Sequence, residues 1–473
     1  MKTIEILSGL GVLALLAEIF RFKKFLLPIV VVGLLGAIGA AVYDWNTNIH
    51  YYHNMLTFDN YALLFSIVIC GTALLWFLSA QNFFSEETSI TDHYGLTLFA
   101  LVGAVIIVSY SNMVMLFLGI EILSIPLYVL AGSKKENLSS NEASLKYFLM
   151  GAFATGFLLF GIALLYGAFG SFDLNRIAAI LLPPMPSQAR PGDAQWLLIS
   201  GGIIFMLIGL SFKASVVPFH FWAPDVYQGS PTQVTAFMAS IVKTAAFAAF
   251  LRLFITCFAN LGSVWSNLVW VIAAITILLG NITAVYQSSV KRMLAYSSIS
   301  HAGYLMLAIL AMNNLSAGAV LYYAAAYSVA TIASFTVLAI IEGQNSNGDG
   351  HVTFENFNGL AKKNPFLAFA MTTAMLSLAG IPPLAGFFGK YYLFSATLQS
   401  GYIWIVLIAV LGSLIGVYYY FKVIIAMYFS STTSGTENQN EVEISFLQVF
   451  VLLLCILLSL ALGLFPDLVI RLL

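Results

Sequence analysis

Charged residues are scarce in this sequence. Asp, Glu, Lys and Arg make up only 8% of its 473 residues, whereas hydrophobic residues make up 60%. Soluble domains carry about 25% charged residues, so this chain has too few charges to cover a surface that faces water. The net charge of −1 also argues against a nucleic-acid partner, since such proteins concentrate positive charge on one face. The composition therefore predicts an integral membrane protein whose surroundings are the lipid bilayer.

Metal-binding, disulfide and nucleotide-binding patterns are missing as well. Cys70, Cys257 and Cys455 each lie alone in an apolar segment, without the spacing of a metal site or a disulfide framework. No glycine-rich loop follows a strand pattern, so the sequence carries no phosphate-binding motif of that type. We therefore expect no cofactor and no metal on this chain.

Long apolar runs are abundant instead. Runs of about 20 apolar residues indicate transmembrane helices, and these runs are continuous rather than alternating as in a membrane barrel. We predict an all-α polytopic membrane protein with about 14 transmembrane helices. The predicted segments lie near 4–20, 25–43, 61–79, 93–110, 113–131, 144–169, 196–217, 232–258, 266–286, 292–311, 316–342, 365–400, 402–428 and 444–465.

The basic residues of the loops predict the orientation of the chain. One set follows the odd-numbered segments and comprises Arg21, Lys23, Lys24, Lys134, Lys135, Lys291, Arg292, Lys362 and Lys363. The smaller set on the opposite side comprises Lys2, Arg176, Arg190 and Arg471. Because cytoplasmic loops carry the excess of Lys and Arg, both termini are predicted to be periplasmic in a bacterial inner membrane. The first segment lacks a small-residue cleavage site, so we expect a retained helix rather than a signal peptide.

Four charged residues lie deep inside predicted segments: Glu121, Lys213, Lys243 and Lys390. At 1.5 Å per residue, Glu121 is about 12 Å and Lys243 about 18 Å into its helix. Snorkelling to the headgroups does not explain such depth, and ionisable residues inside membranes mark ion and proton pathways. The sequence predicts a proton relay in which Glu121 modulates Lys213, while Lys243 and Lys390 carry the proton onward.

Three further residues are secondary candidates for this relay: Lys146, His301 and Lys422. Lys146 and Lys422 lie nearer helix ends, so side chains that reach the headgroups explain them equally well. His301 lies inside an apolar run and, with water, would join the lysines in series.

Prolines interrupt two of the predicted helices. Pro218 comes five residues after Lys213, and Lys390 comes seven residues after the pair Pro382 and Pro383. Proline removes a backbone donor and breaks a helix. Unwound backbone inside a membrane is tolerated only where it faces protein or a wet cavity. We therefore predict an ion site at each break, as in transporters built from repeats.

The two breaks also indicate an internal repeat. The fourth to eighth and the ninth to thirteenth segments form two blocks of five helices, and the broken helix is the fourth in each. An odd number of helices per block inverts the second block relative to the first. We predict three N-terminal transmembrane helices (1–92), a first five-helix repeat (93–258), an inverted second repeat (259–428), and a C-terminal loop with the last helix (429–473).

Five stretches resemble a known family. They are "FLGIEILSIPLYVLAG", "EASLKYFLMGAFATGFLLFGIALLYG", "FKASVVPFHFWAPDVYQGSPTQVTAFMASIVKTAAF", "VKRMLAYSSISHAGYLM" and "LSLAGIPPLAGFFGKYYLF". Together they resemble the antiporter-like N subunits of proton-pumping NADH–quinone oxidoreductase, respiratory complex I. Subunits L and M and the multisubunit sodium–proton antiporters carry a His-Ala-Pro version of "WAPDVYQGSPTQVTAF". A lysine rather than a glutamate at Lys390 also differs from subunit M.

The resemblance implies two inverted five-helix repeats and a proton path along the middle of the membrane. It implies functional roles for Glu121, Lys213, Lys243 and Lys390, and also for Lys146. It further implies that quinone reduction elsewhere in the complex drives the protons. The implied partners are other membrane-arm subunits, especially neighbouring antiporter-like and small membrane subunits. Flavin, iron–sulfur clusters and quinone would belong to partner subunits and not to this chain.

Two other functions stay open at this point. A cation–proton antiporter subunit of the multisubunit sodium–proton type could use the same lysines, although Glu121 alone is a poor ligand set for sodium, because hard cations bind several oxygen ligands. A purely structural membrane subunit would use the lysines only for internal pairing.

Overall fold

The computed structural model describes residues 1–81, 83, 90–182, 192–344, 352–430, 444–470 and 472. Arg190 and Arg471, which contributed to the predicted orientation, lie outside these residues. The helices are α1 (Lys2–Ile19), α2 (Leu26–Tyr43), α3 (Asn60–Ser79), α4 (Ile90–Ser109), α5 (Met113–Ala131), α6 (Leu138–Phe169), α7 (Leu174–Ile180), α8 (Ala194–Ala214), α9 (Trp222–Gly229), α10 (Thr232–Phe237), α11 (Lys243–Leu253), α12 (Gly262–Val285), α13 (Val290–Ala311), α14 (Ser316–Gln344), α15 (Leu360–Lys363), α16 (Pro365–Ala379), α17 (Ala385–Gln399), α18 (Ile403–Phe429), α19 (Phe446–Leu464) and α20 (Asp467–Ile470).

The predicted all-α membrane fold is confirmed. Within the described ranges, 11 helices are long and apolar enough to cross a membrane, and one of these runs continuously over Thr232–Val285 and contains two predicted segments. Each predicted segment coincides with one helix or with a pair of consecutive helices. The number of crossings stays a prediction, since α1 and the shorter α16 do not belong to those 11 helices.

One small sheet connects α2 to α3. Its strands are β1 (Ile49–Tyr51) and β2 (Leu56–Phe58), which pair antiparallel with His50 opposite Thr57. A two-stranded hairpin is marginally stable alone, and β2 is buried against the helices. The hairpin belongs to a connecting loop and leaves the helical class of the membrane part unchanged.

Polar side chains define where many of the helices begin. Asp59 accepts a hydrogen bond from the backbone N–H of Ala62 at the start of α3, at 2.8 Å. Asn112 does the same for Val114 at the start of α5, at 2.9 Å. Such caps satisfy backbone donors that have no partner in the first turn. They explain why the apolar runs become helices with defined starts rather than frayed segments.

Helices α13 and α14 form the centre of the molecule. In their most apolar windows, 94% and 89% of the residues are buried, whereas the corresponding windows of α18 and α19 are 39% buried. Helix α13 packs against α12, α9 and α17, and α14 packs against α10, α16 and α17. The predicted repeats therefore meet at α13 and α14. The division of the chain into four parts stays a prediction.

Both predicted helix breaks are present. Helix α8 ends at Ala214, and Ser215 adopts a left-handed conformation (φ 59°) before Pro218. Helix α16 ends at Ala379, Gly380 is also left-handed (φ 84°), and α17 begins at Ala385 after the two prolines. The Val217–Pro218 and Pro382–Pro383 peptide bonds are both cis. Each break leaves the carbonyls of a helix end inside the protein, where polar side chains can reach them.

A π turn at Met238–Val242 separates α10 from α11. Single π turns inside helices insert an additional residue into the helix and are frequent at functional sites. Lys243 is the first residue after this turn.

Candidate functional site

Lys213 lies in the last turn of α8, next to the first break. Its side chain is buried (5% exposed). The Nζ atom donates to Ser124 Oγ at 2.7 Å and lies 5.8 Å from the centre of the Tyr147 ring. The hydroxyl of Ser124 in turn donates to the Ile120 carbonyl at 2.5 Å. A neutral hydroxyl from α5 therefore stabilises this lysine.

Glu121 lies on α5, three residues before Ser124, so the two side chains are neighbours on one face of the helix. It is half-buried. Among the contacts of the described residues, Glu121 and Lys213 share no direct ion pair, and the carboxylate acts on the ammonium at longer range. The predicted modulation of Lys213 by Glu121 stays a prediction.

Lys243 lies at the start of α11 and is the most deeply buried of the predicted relay residues (2% exposed). Its Nζ donates to the carbonyl oxygen of Ser298 and, at 2.5 Å, to the Ser298 hydroxyl. Both partners belong to α13. The ammonium of the first repeat is therefore stabilised by a helix of the predicted second repeat.

Lys390 lies in the second turn of α17, beyond the second break, and is 6% exposed. Its Nζ donates to the Ala379 carbonyl at 2.7 Å and to Ser413 Oγ at 2.8 Å. The Ala379 carbonyl belongs to the end of α16, where unsatisfied carbonyls attract a cation. Gly380 makes this approach possible, since a Cβ there would lie 2.9 Å from Lys390 Cδ.

His301 lies on α13, three residues after Ser298, and is 3% exposed. Its Nδ1 is 2.5 Å from the Tyr323 hydroxyl, and its Nε2 is 2.9 Å from the Tyr420 hydroxyl. A neutral imidazole donates with one nitrogen and accepts with the other, so a proton can enter on one side of the ring and leave on the other. Charges at both Lys243 and Lys390 act on His301, so the imidazole lies near both lysines.

A polar chain that sequence reasoning missed runs from Lys390 into α12. Tyr304 Oη accepts from Asn281 Nδ2 at 3.1 Å, and Asn281 Oδ1 accepts from Tyr419 Oη at 2.9 Å. The Lys390 Nζ lies 5.3 Å from the Tyr304 ring centre. An asparagine in the middle of the apolar segment 266–286 was the available signal, because buried amides need hydrogen-bond partners.

The two remaining lysine candidates lie outside this buried group. Lys146 Nζ forms ion pairs with Glu142 at 2.6 Å and Asp225 at 2.7 Å, and its side chain is 38% exposed. Lys422 Nζ donates to the Gln287 carbonyl at 3.4 Å and lies 4.1 Å from the Phe354 ring centre. Lys146 is thus an ion-paired residue at the edge of the site, while Lys422 covers an aromatic ring.

A cavity of about 260 Å³ opens beside Lys146, where α6, α9, α13 and α14 converge. Asp225 on α9 links Lys146 to Arg292, whose Nη1 donates to Asp225 Oδ1 at 3.0 Å. We call these three residues the Asp225 clamp. Burial alone would raise the pKa of Asp225, but hydrogen bonds from Lys146 and Arg292 outweigh burial and hold this pKa below its usual range.

Lys291, which the sequence assigns to a loop, also lines this cavity. It is the second residue of α13 and is 2% exposed, and its Nζ donates to the Ser230 carbonyl at 2.7 Å. Glu342 lies on the far wall and accepts from Thr232 Oγ1. Neither role was visible in the sequence, because both residues lie at helix ends where exposure is the usual expectation.

No cluster of three or more His, Cys, Asp or Glu that could hold a metal ion occurs in the part of the chain that the structure describes. The buried groups are instead ammonium, hydroxyl, imidazole and amide groups. Such groups can accept, donate and pass protons.

Comparisons with known proteins agree on one family. A family model described as NADH:quinone oxidoreductase/Mrp antiporter, TM, matches residues 111–416. The NADH-quinone oxidoreductase subunit N of Cytophaga hutchinsonii is 44% identical over 473 residues, which cover 100% of this chain and 99% of that protein. The subunit of the same name from Flavobacterium psychrophilum is also 44% identical, over 475 residues and 100% of both chains.

Solved structures share the fold. A chain of respiratory complex I from Thermus thermophilus with bound Aureothin aligns with a TM-score of 0.83 and 33% identity, over 99% of this chain and 98% of that chain. A chain of the Mrp complex from Dietzia sp. aligns with a TM-score of 0.85 over 100% of this chain and 96% of that chain. At 20% identity, the second similarity shows the fold alone.

Proposed function

The chain belongs to the N subunits of NADH–quinone oxidoreductase, and on this premise we propose that its buried lysines translocate protons across the membrane. Lys213, Lys243 and Lys390 take up and release the protons, and Glu121 modulates Lys213. Quinone reduction in another part of the complex supplies the energy. We propose that the redox chemistry takes place elsewhere in the complex, where partner subunits bind flavin, iron–sulfur clusters and quinone.

One observation carries this proposal: each buried lysine donates its hydrogen bonds to neutral oxygens. Lys213 has a serine hydroxyl, Lys243 has a serine carbonyl and hydroxyl, and Lys390 has a helix-end carbonyl and a serine hydroxyl. A structural role would favour a paired carboxylate, because an unpaired buried charge is expensive. Neutral partners stabilise the ammonium only partly, so a small change in the surroundings can release its proton.

The contacts support an order for the transfer. Lys243 binds Ser298 on α13, and His301 lies on the same helix about one turn further along the chain. His301 then leads through Tyr420 and Tyr323 toward the side of the second repeat that contains Lys390. The proton passes from Lys213 through Lys243 and His301 to Lys390. Lys146 lines the cavity at the edge of the site, and Lys422 lies over the Phe354 ring outside the buried group.

The orientation of the chain is part of the proposal. The cavity beside the Asp225 clamp is lined by Lys134, Lys291 and Arg292, which the positive-inside rule assigns to the cytoplasm. We infer that protons enter from that side, that both termini are periplasmic, and that neighbouring antiporter-like and small membrane subunits flank the chain in the bacterial inner membrane.

A cation–proton antiporter is the alternative. The similarity to the Mrp complex from Dietzia sp. is one of fold, and Glu121 is the acidic residue of the relay. Sodium needs several oxygen ligands, and a single carboxylate on α5 does not supply them. The subunit N function therefore has the stronger support.

The test replaces Lys390 by Ala in the assembled complex and measures NADH-driven proton pumping together with quinone reduction. We expect pumping per assembled complex to fall by about 10²-fold, the size of a lost proton-transfer group. The matched control is Lys23→Ala, which removes a surface lysine that pairs with Glu18 at 2.6 Å. Full pumping in the absence of Lys390 would contradict the proposal. Lys390→Met, which keeps the length of the side chain, separates loss of the proton carrier from loss of assembly.

A further inference from the structure

Helix α9 links the two lysines of the first repeat. It follows the break beyond Lys213 and ends just before the helix that carries Lys243. Its N-terminal end is fixed by Trp222, whose ring stacks on Tyr147 with centroids 4.6 Å apart and whose Nε1 donates to the Phe212 carbonyl at 3.1 Å. The Tyr147 ring also lies 5.8 Å from Lys213 Nζ. This end of α9 is therefore packed into the surroundings of the first lysine.

The C-terminal end of α9 is fixed by close packing. Gly229 approaches α6 so closely that a Cβ would lie 2.4 Å from the Ser139 carbonyl oxygen. The next carbonyl, that of Ser230, accepts from the buried Lys291 at 2.7 Å. Both contacts are short and join this end of α9 to two other helices, so they leave it little freedom.

The middle of α9 is held by the Asp225 clamp. Asp225 binds Lys146 from α6 and Arg292 from α13, and Arg292 also donates to Gln228 Oε1 at 2.7 Å. The side chain of Asp225 is 38% exposed. Ion pairs as exposed as these contribute little to folding stability. Their removal is therefore expected to leave the complex assembled.

Tyr227 lies two residues after Asp225 and is buried at 1% exposure. The side chains of Ser215, at the break beside Lys213, and Ser298, the partner of Lys243, lie near this hydroxyl. Ser215 Oγ is buried and forms no hydrogen bond within the part of the chain that the structure describes. The Tyr227 carbonyl accepts from Thr235 at 2.9 Å. Helix α9 thus carries Asp225, which forms ion pairs at the cavity. Two residues later it carries Tyr227, whose hydroxyl lies between the site of Lys213 and the site of Lys243.

We propose that the Asp225 clamp is a positioning device for proton transfer. By holding α9 between the two repeats, the clamp keeps the Tyr227 hydroxyl between Ser215 and Ser298, and so connects Lys213 with Lys243. Asp225 and Arg292 are positioning residues that act through Tyr227. This inference rests on the proposed function, because it assigns a path between two of its lysines.

The experiment compares Arg292→Gln, Tyr227→Phe and the double variant in the assembled complex. Proton pumping per complex is measured in inverted membrane vesicles, together with quinone reduction and the amount of complex. We expect each single variant to lose between about 10-fold and about 100-fold in pumping, the effect of a misplacement near 1 Å. The double variant is expected to be no worse than the single ones, because both changes interrupt one connection.

The conservative variant supplies the rescue. Arg292→Lys keeps a cation opposite Asp225, with Lys146 in place, and is expected to retain most of the pumping that Arg292→Gln loses. Lys23→Gln is the matched control for removal of a surface cation. Normal pumping per complex in Arg292→Gln, or losses that multiply in the double variant, would overturn the inference. Normal pumping in Lys213→Ala and Lys243→Ala would instead overturn the proposed function.

The pH profile distinguishes positioning from a general loss of structure. The charged groups around Asp225 are Lys146 and Glu142 on α6, Lys291 and Arg292 on α13, Glu342 on α14 and Lys134. Because hydrogen bonds from Lys146 and Arg292 hold the pKa of Asp225 below its usual range, the clamp is intact at neutral pH and is lost only in acid, as the pH falls through that lowered pKa. In Arg292→Gln the carboxylate keeps only Lys146, so the pKa of Asp225 rises and the pumping deficit should begin to grow at a higher pH than any loss in the unchanged complex. Asp225→Asn should show a deficit that does not vary with pH, and a deficit in Arg292→Gln that is equally constant would contradict the inference.

Discussion

The two helix breaks solve the same problem in different ways. At the second break, Lys390 binds back to the carbonyl that the break exposes, so the break and its lysine form one local unit. At the first break, Lys213 precedes Pro218 and binds across to Ser124 on α5, and α9 follows the break along the chain. The second site therefore combines a backbone carbonyl eleven residues away with one hydroxyl from α18, whereas the first depends on side chains of other helices alone. The difference teaches that residues distant in sequence control the geometry at Lys213 more than the geometry at Lys390.

The largest expected effect comes from the residue that turns the chain at the second break. Gly380→Val places a branched side chain at φ 84° and against Lys390, and the left-handed conformation alone costs about 1–2 kcal/mol for such a residue. We expect the complex to inactivate at a lower temperature and to pump little. Thermal inactivation of the purified complex measures the change.

The equivalent position at the first break is its control. Ser215 already adopts φ 59°, so Ser215→Gly relieves a conformation that glycine adopts freely. The complex should be as thermostable as before the change. Equal lowering of the inactivation temperature by Ser215→Gly and Gly380→Val would contradict the idea that only the turn at the second break requires glycine.

A smaller effect is expected from the serines that solvate the lysines. Ser124→Ala removes the hydroxyl that accepts from Lys213, whereas Ser413→Ala leaves Lys390 the Ala379 carbonyl. A hydrogen bond to a charged group contributes about 1.5–3 kcal/mol, so pumping should fall about tenfold or more in Ser124→Ala. Ser413→Ala should lose less. Proton pumping per complex distinguishes the two, and a greater loss in Ser413→Ala would reverse the comparison.

The smallest effect is expected at Lys422. Its ammonium lies over the Phe354 ring and makes one long hydrogen bond, and an exposed cation–π contact contributes about 0.5–1 kcal/mol. Lys422→Gln should therefore change pumping per complex by less than about fivefold, which corresponds to 1 kcal/mol. A loss as large as that of Lys390→Ala would show that Lys422 belongs to the relay.

The sequence allowed the helices, both breaks and the buried lysines to be predicted, because each depends on local composition. Apolar length, a proline that interrupts an apolar run and a lysine inside such a run can all be recognised without knowledge of the fold. The assignment of Lys291 to a loop was wrong in detail, since α13 begins at Val290 and buries this residue. Its position depends on the contact with Ser230, which is distant in sequence.

The connections between the lysines could not be predicted for the same reason. Asn281 meets Tyr304 and Tyr419, and His301 meets Tyr420, across separations of up to 138 residues. Tyrosines are common in membrane helices, particularly near the interfaces, and nothing local distinguishes those that face each other. Asp225 likewise resembled an ordinary polar residue at the membrane surface. Only the convergence of α6, α9 and α13 gives it two cationic partners.

The π turn before Lys243 has a consequence for the phase of its helix. One additional residue rotates all that follows by about 100° relative to an uninterrupted helix. Thr235, before the turn, points to the Tyr227 carbonyl, and Lys243, after it, points to Ser298. An unbroken α-helix could align one of these side chains with its neighbour but would turn the other away. The π turn therefore changes the direction in which the side chains point. Thr235 before the turn faces α9, and Lys243 after it faces α13.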